Sequence, residues 1–167
     1  HPTDRAATTL PLFYSYGLSV LNSYLSVGAA LVITARSITD PGFWEAARAS
    51  SVTSLAFVPH QFDLLRGAGF DGTELPSLRY LTQAGGKLDP SAVEHFCKLG
   101  QAAGWLLFIM YGQTEAAPRI SFVPPEALPG AGDTIGRAIP GGRLWLVDDG
   151  GLEIHETGSA GELVYEG

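Results

Sequence analysis

Short apolar runs along the chain alternate with longer stretches in which apolar residues return every three or four positions. The runs predict buried strands, and they cover Thr8–Phe13, Ala30–Thr34, Ser54–Val58, Leu78–Ala84 and Trp105–Met110. The stretches between them predict amphipathic helices. Because strand and helix alternate about four times with short connections, the predicted fold class is α/β, with a parallel sheet flanked by helices.

Glycine, proline and aspartate bound the predicted helices. Residues 18–25 carry apolar side chains at helical spacing, and Gly28 ends that helix. The Asp-Pro pairs that begin at Asp40 and Asp89 predict an N-cap followed by proline at the first helical position. A shorter helix over His60–Arg66 ends at a pair of closely spaced glycines.

The pattern changes after Pro118, where prolines and glycines interrupt the chain repeatedly and no long helical pattern remains. Arg143–Val147 and Leu163–Tyr165 are predicted short strands, with a hairpin turn at 149–151 after the first. We therefore predict an α/β subdomain over residues 1–130 and an incomplete small β subdomain over residues 131–167.

Composition narrows the classes of function. The chain has 167 residues, of which 46% are apolar and 16% charged, enough for one sizeable core. Its net charge of −7 and the absence of a Lys/Arg cluster argue against nucleic-acid binding. The single cysteine, Cys97, excludes an internal disulfide and favours a packed core thiol. No apolar run approaches the roughly 18 residues of a membrane span, so we expect a soluble, cytoplasmic protein.

Polar and glycine-rich clusters follow the predicted strands. They are Tyr14–Gly17, Pro59–Gln61, Gln83–Lys87 and Tyr111–Glu115. Because the carboxyl ends of parallel strands open onto one edge of a sheet, these clusters are expected to line one crevice.

The residues alone leave two interpretations of these clusters open. In the structural one, Thr114 and Glu115 cap and charge the start of a turn, Gly85-Gly86 is a plain tight turn, and His60 is a surface or capping histidine. In the functional one, the Thr114 hydroxyl and neighbouring backbone donate to a phosphate, the Glu115 carboxylate binds Mg²⁺, and Tyr111 offers a flat face to a base. No GxGxxG or GxxxxGK[ST] loop occurs, and without further motifs the structural interpretation is favoured.

Further motifs produce a resemblance to the adenylate-forming enzymes, the superfamily of acyl-CoA synthetases, peptide-synthetase adenylation domains and luciferases. Tyr111–Glu115 resembles their Tyr-Gly-x-Thr-Glu motif. Leu10–Leu18 resembles their Leu-Pro-Leu-Phe-His-x-x-Gly-Leu stretch, and Gln83–Leu88 resembles their Ser-Gly-Ala-Ala-Pro-Leu turn. Ile135–Gly141 and Gly161–Leu163 are similar to two later landmarks in the same order, so the resemblance covers nearly the whole chain.

The resemblance implies an AMP-forming acid–thiol ligase that uses ATP and Mg²⁺. A carboxylate attacks the α-phosphorus of ATP to give an acyl-adenylate and pyrophosphate, and the acyl group passes to the thiol of CoA or of a phosphopantetheine carrier protein. By the same resemblance, Thr114 hydrogen-bonds the α-phosphate and Glu115 ligates Mg²⁺. The implied nucleotide-binding residues are Tyr111, Gly112, Gln113, Gly85, Gly86 and Lys87. The implied border of the acyl pocket is Tyr14, Pro59 and Ala84, together with Gly112 and Gln113.

The chain departs from the family pattern at the site. Tyr14 replaces the family histidine, and Lys87 replaces a proline and adds a charge near the nucleotide. No aspartate lies in Phe13–Tyr16 to hold the amine of an amino acid, which favours a fatty, aryl or hydroxy acid.

By the same resemblance, adenylation also needs family segments that lie outside residues 1–167. The family's phosphate loop lies upstream, and its ribose-binding aspartate and lysine-bearing lid lie downstream. We therefore expect a fragment that is inactive alone and that self-associates through apolar surface bared by truncation. The alternative is a non-catalytic nucleotide-binding or assembly module. A flavodoxin-like binding domain is disfavoured, because its phosphate loop would stand where Tyr14–Tyr16 stands.

Overall fold

A computed structural model describes residues 1–167, except for the side chain of Pro129. The strands are β1 (Arg5–Ala7), β2 (Ala30–Val32), β3 (Ser54–Phe57), β4 (Tyr80–Gln83), β5 (Leu106–Tyr111), β6 (Ser121–Val123), β7 (Arg137–Ala138), β8 (Arg143–Val147), β9 (Glu153–Ile154) and β10 (Glu162–Glu166). The α-helices are α1 (Ser15–Ser26), α2 (Pro41–Ala49), α3 (Pro59–Gly67), α4 (Pro90–Ala103) and α5 (Leu128–Ala131). Two 3₁₀ turns cover Thr114–Ala116 and Pro125–Ala127.

Seven strands form the main sheet in the order β2-β1-β3-β4-β5-β6-β7. The pairs among β2, β1, β3, β4 and β5 are parallel, whereas β6 and β7 join antiparallel. The predicted α/β class is confirmed, and the sheet is mixed. Its last strands run antiparallel because a loop without a crossover helix connects β5 to β6.

The first strand was predicted in the wrong place. It covers Arg5–Ala7, not Thr8–Phe13. Pro11 has no N–H to donate to a ladder, and Leu12 and Phe13 turn outward, with Phe13 93% exposed. Ala6 and Ala7 are buried instead, between β2 and β3. Small residues at the centre of a sheet leave no apolar pattern long enough to detect.

The predicted helix starts are confirmed at both Asp-Pro pairs. Asp40 Oδ1 accepts a hydrogen bond from the Gly42 N–H at 2.8 Å. Asp89 Oδ1 accepts one from the Ser91 N–H at 2.9 Å. In each case the following proline is the first helical residue, where its missing N–H costs nothing. These caps fix where α2 and α4 begin against the sheet.

The faces of the main sheet are covered differently. Helices α2, α3 and α4 cover one face with the main core, in which the Phe62 and Phe96 rings meet edge to face at 4.9 Å. Helix α1 covers the other face with two small clusters, one around Tyr24 and one around Tyr16. Strand residues alternate between the faces. The α1 face therefore carries fewer large apolar side chains.

The second sheet contains three antiparallel strands in the order β10-β8-β9. Both predicted strands are present here, and Asp148 Oδ1 accepts hydrogen bonds from the Gly150 and Leu152 N–H groups in the turn after β8. β7 pairs with β6 in the main sheet, beyond the boundary predicted at residue 130, which stays a prediction. Among the described residues, no helix combines the length and the apolar character needed to cross a membrane.

Candidate active site at the carboxyl edge of the sheet

The clusters that follow the parallel strands meet at one edge of the main sheet. The Ser15 and Thr114 hydroxyl oxygens lie 3.0 Å apart, which joins the start of α1 to the loop after β5. A Cβ built on Gly85 would lie 2.6 Å from the Tyr14 hydroxyl oxygen. A Cβ on Gly86 would lie 3.2 Å from Cγ of Pro59. The four clusters, although far apart in sequence, therefore lie next to one another in space.

Tyr14 stands at a sharp turn before α1. Its N–H donates to the Pro11 carbonyl at 3.1 Å. A Cβ on Gly17 would lie 2.3 Å from that same carbonyl oxygen, so the turn requires glycine there. The Tyr14 and Tyr16 rings meet edge to face with centroids 6.5 Å apart. The Tyr14 hydroxyl, at the position where the family has histidine, thus lies against Gly85 in the turn after β4.

Gln83 fixes the shape of the turn after β4. Its side chain is 1% exposed, and its Nε2 donates to the Gly86 carbonyl at 2.7 Å. Gly85 has a φ of 81°, in the region that favours glycine. Ala84, between Gln83 and Gly85, is buried with Tyr16 in the cluster under α1. The turn is thus held from inside, while the backbone of the glycines forms its outer surface.

Pro59 is the first residue of α3, and Gln61 ties this helix to the segment before α1. Gln61 Oε1 accepts from the Val58 N–H at 3.1 Å, and its Nε2 donates to the Thr9 carbonyl at 3.0 Å. His60, the residue between them, is exposed on the surface, as the structural interpretation predicts. Lys87 is also exposed, and its ammonium forms an ion pair with Asp133. The charge that Lys87 adds to the turn thus has a carboxylate partner.

The loop after β5 has no room for a side chain at its first residue, Gly112. A Cβ on Gly112 would lie 1.5 Å from the Pro118 carbonyl oxygen. Tyr111, half-buried at the end of β5, pairs with Ser121 of β6. Gln113, Thr114 and Glu115 are exposed beyond it. The close crossing at Gly112 thus turns the hydroxyl and the carboxylate outward at the carboxyl edge.

Glu115 makes no ion pair or side-chain hydrogen bond with any described residue, although it lies beside the Thr114 hydroxyl. A free carboxylate suits Mg²⁺, which binds through one or two carboxylates plus substrate phosphates. Glycine backbone and hydroxyl donors stand next to it. Among the described residues no group of three or more His, Cys, Asp or Glu side chains gathers to hold a metal ion, so Glu115 would supply a single ligand beside those of a bound nucleotide.

Sequence reasoning missed a cavity between α1 and the sheet, which extends from Met110 near the carboxyl edge toward Ser54 and Tyr80 at the amino ends of β3 and β4. The cavity measures about 180 Å³ and is lined in part by Thr82, Met110 and Arg119. The Thr82 hydroxyl lies 2.7 Å from that of Tyr16, and burial raises the pKa of Tyr16 well above its usual value. Arg119 Nη1 donates to the Ser23 hydroxyl at 3.1 Å.

Residues 1–167 match the family model described as AMP-binding enzyme. The chain belongs to the AMP-binding enzyme family. The resemblance inferred from the motifs is thereby confirmed along the whole chain.

Two curated relatives of this AMP-binding chain are CoA ligases by name. The indoleacetate–CoA ligase of Aromatoleum aromaticum is 31% identical over 166 residues, which are 98% of this chain and 31% of that protein. The oxalate–CoA ligase of Arabidopsis thaliana is 31% identical over 170 residues, which are 99% of this chain and 32% of that protein. The chain thus spans about a third of the length of these relatives.

A solved structure shows the same fold. The O-succinylbenzoate coenzyme A synthetase of Bacillus subtilis, in complex with ATP and magnesium ion, aligns with a TM-score of 0.83 and 24% identity. The alignment covers 98% of this chain and 33% of that one. At this identity the likeness establishes the fold of the AMP-binding chain, and the roles of its residues have to come from its own geometry.

Proposed function

We propose that the protein carrying this chain is an ATP-dependent acid–thiol ligase of the AMP-forming class. A carboxylate oxygen of the acid bonds to the α-phosphorus of ATP, and the bond to pyrophosphate breaks. The acyl group of the resulting acyl-adenylate then passes to a thiol, and AMP leaves. The observation that carries the proposal is the pair at the carboxyl edge. There the Thr114 hydroxyl lies 3.0 Å from Ser15, beside the unpaired carboxylate of Glu115.

Thr114 and Glu115 have the chemistry that phosphorus substitution needs. The Thr114 hydroxyl donates a hydrogen bond to an α-phosphate oxygen, and Glu115 ligates the magnesium ion. Mg²⁺, when bound, neutralises charge on the phosphates. The protein's part is alignment and electrostatic stabilisation, because little other covalent chemistry falls to its side chains. Both residues extend from a loop whose path Gly112 determines.

The nucleotide base has a proposed site between the loop after β5 and the turn after β4. Tyr111 supplies the flat face, and Gly85 and Gly86 approach closely because they carry no Cβ. Lys87, Gly112 and Gln113 complete this set. The acyl pocket is bordered by Tyr14, Pro59 and Ala84, with Gly112 and Gln113 at its mouth. Its floor is the cluster of Tyr16, Ala56 and Ala84.

CoA is the proposed acyl acceptor, with a phosphopantetheine carrier protein as the other thiol of the same chemistry. The two curated relatives described above are CoA ligases by name, and their acids are small carboxylic acids. We propose a small carboxylic acid as substrate for this protein as well.

ATP–pyrophosphate exchange on the complete protein, with a panel of small acids, tests the proposal. We expect Thr114→Ala and Glu115→Ala each to lower exchange on the order of 100-fold, the size of losing one charge-stabilising group. Glu94→Ala on α4 is a matched control, since Glu94 is exposed and pairs only with Lys98. Full exchange in Glu115→Ala would contradict the role of Glu115. ATP binding without exchange for any acid would favour a non-catalytic nucleotide-binding module.

A further inference from the structure

The lining of the cavity between α1 and the main sheet is mainly apolar and includes several residues that carry hydroxyl groups. Ser54, Tyr80 and Thr82 contribute hydroxyl groups from β3 and β4, and Ser23 and Tyr24 contribute them from α1. The Tyr24 and Tyr80 hydroxyl oxygens lie 2.8 Å apart. At about 180 Å³ the cavity is smaller than the roughly 300–1,000 Å³ of pockets for drug-sized ligands. It has room for a small polar group and is poorly suited to a long aliphatic chain.

Arg119 brings a positive charge to this cavity without a carboxylate partner. Its Nη1 donates to Ser23, whereas its Nε is buried and has no hydrogen-bond partner among the described residues. No described carboxylate lies within ion-pair distance of it. Five other arginines each contact a carboxylate, namely Arg36, Arg48, Arg66, Arg79 and Arg143. The remaining two have other partners, since Arg5 donates to the Ser50 carbonyl at 3.0 Å and Arg137 lies over the Phe122 ring. Arg119 is half-buried, and a buried guanidinium nitrogen without a hydrogen-bond partner is costly, so a bound anion would relieve that cost.

Neither of the two carboxylates near Arg119, those of Asp4 and Glu115, forms an ion pair with it. Asp4 also lines the cavity, and its carboxylate forms an ion pair with Arg79. Glu115 and Arg119 border one surface depression at the carboxyl edge, without an ion pair between them. Arg119 therefore stands between the Thr114–Glu115 loop and the cavity, with its charge available to a ligand.

The cavity adjoins the proposed acyl pocket. Ala56 and Met110 line it, and both pack in the cluster that contains Ala84 and Tyr14. An acid whose reacting carboxylate lies at Tyr14 and Thr114 would extend its other end past this cluster.

We propose that Arg119 binds the second carboxylate of a small dicarboxylic acid, whose first carboxylate is the one activated. This inference rests on the proposed function. The planar guanidinium can donate two parallel hydrogen bonds to a carboxylate, and the surrounding hydroxyls supply the remaining donors. The proposed substrate is therefore a small dicarboxylic acid, whereas the sequence alone favours a fatty, aryl or hydroxy acid.

Exchange assays with matched acids on the complete protein test this assignment. The pairs are butanoate with succinate, pentanoate with glutarate and hexanoate with adipate. We expect kcat/KM to favour the dicarboxylate of the best pair on the order of 10- to 100-fold, the effect of a hydrogen bond to a charged group. Arg119→Met should abolish that preference, and Arg119→Lys should keep part of it. Arg66→Met, at an exposed site on α3, should leave it unchanged. Equal use of both acids, or a preference that survives in Arg119→Met, would overturn the assignment.

Calorimetric titration of the same dicarboxylates without ATP separates this inference from the proposed function. Loss of binding in Arg119→Met, with binding kept in Arg66→Met, supports the anion site even if no acid promotes exchange. Exchange with monocarboxylates alone would keep the proposed function and overturn the inference. A merely structural Arg119–Ser23 contact would lower the melting temperature of Arg119→Met without changing the ratio between matched acids.

Discussion

The faces of the main sheet use their side chains for different purposes. On the face covered by α2, α3 and α4, aromatic rings meet edge to face and fill the space between the layers, as Phe57, Phe62 and Phe96 do. On the face covered by α1, the same strands contribute Ser54, Tyr80 and Thr82, and a cavity remains. Because side chains alternate along each strand, neighbouring residues of one strand pack in the apolar core on one face and line the cavity on the other.

The two faces differ in how their side chains contribute to stability. The apolar face gains stability from every methylene it buries, roughly 25 cal/mol for each Å². The α1 face places hydroxyls where each needs a partner, and several bond to one another, as Tyr16 does to Thr82. Buried polar groups contribute little net stability. They do fix a shape that water or a polar ligand can enter.

Truncating the core aromatic Phe96 should have the largest effect on stability. Phe96 is fully buried on the apolar face, so Phe96→Ala should cost about 3–5 kcal/mol of unfolding free energy. Urea unfolding followed by tryptophan fluorescence measures it, since Trp44 and Trp105 belong to or pack against that core. Phe108→Ala is the matched change on the α1 face, where Phe108 contacts Tyr80 and is only half-buried. Equal losses in both variants would contradict the distinction.

Several helices and strands of the fold were predictable because short local sequence patterns determine where they begin and end. Proline after aspartate located the starts of α2 and α4, and the run Trp105–Met110 became β5 within one residue at each end. The prediction missed β1 because Arg5-Ala6-Ala7 is too short and too small in its side chains to form an apolar pattern. β6 and β7, of three and two residues, are strands only because a neighbour pairs with them.

The site was predictable in its motifs and less so in its contacts. The loop and turn residues were recognisable from their order along the chain. The Ser15–Thr114 pair joins residues 99 positions apart, and the Arg119–Ser23 pair joins residues 96 apart. Such pairs depend on how α1 lies on the sheet, which no local pattern encodes. The cavity could therefore be found only in three dimensions.

Placing a side chain on Gly112 should produce the next largest effect, at the edge where the faces meet. Its Cβ would overlap the Pro118 carbonyl, so Gly112→Ala must shift the loop that holds Thr114 and Glu115. Because misplacement by about 1 Å can cost 100-fold in rate, exchange should fall by that order. Gly67→Ala is the matched control, since a Cβ there meets no atom within 4 Å. Unchanged exchange in Gly112→Ala would show that the loop tolerates rearrangement.

Removing one hydroxyl from the α1 face should have a moderate effect that a second removal repairs. Thr82→Val leaves the buried Tyr16 hydroxyl without its partner, which should cost about 1–3 kcal/mol of unfolding free energy. Tyr16→Phe combined with Thr82→Val removes both polar groups and should recover most of that loss. A double-mutant cycle in urea gives the coupling. Additive losses would indicate that the two hydroxyls act independently.

The smallest expected effect is a change in stability with pH. It should arise from a titratable group at the end of a helix on the apolar face and not from the buried tyrosines of the α1 face. On the α1 face, burial raises the pKa of Tyr16 and Tyr24, so both phenols stay neutral even in mildly alkaline solution and contribute no pH dependence in acid. On the apolar face, hydrogen bonds from Ser91 lower the pKa of the cap Asp89 below its usual value. A group with a lowered folded pKa contributes stability that is complete above its unfolded pKa of about 3.9 and is lost as pH falls through the folded pKa.

Asp89→Asn keeps a capping oxygen and removes that charge, so it isolates the acid-dependent part of the cap. We expect its melting temperature to lie slightly below that of the natural protein at pH 7, with the difference shrinking below about pH 4. Asp149→Asn, at a turn where that side chain makes no hydrogen bond with described residues, should shift the midpoint by less at neutral pH. A difference for Asp89→Asn that grows on acidification would reverse the sign required by a lowered pKa. The acid sensitivity would then have to originate outside the helix caps of the apolar face.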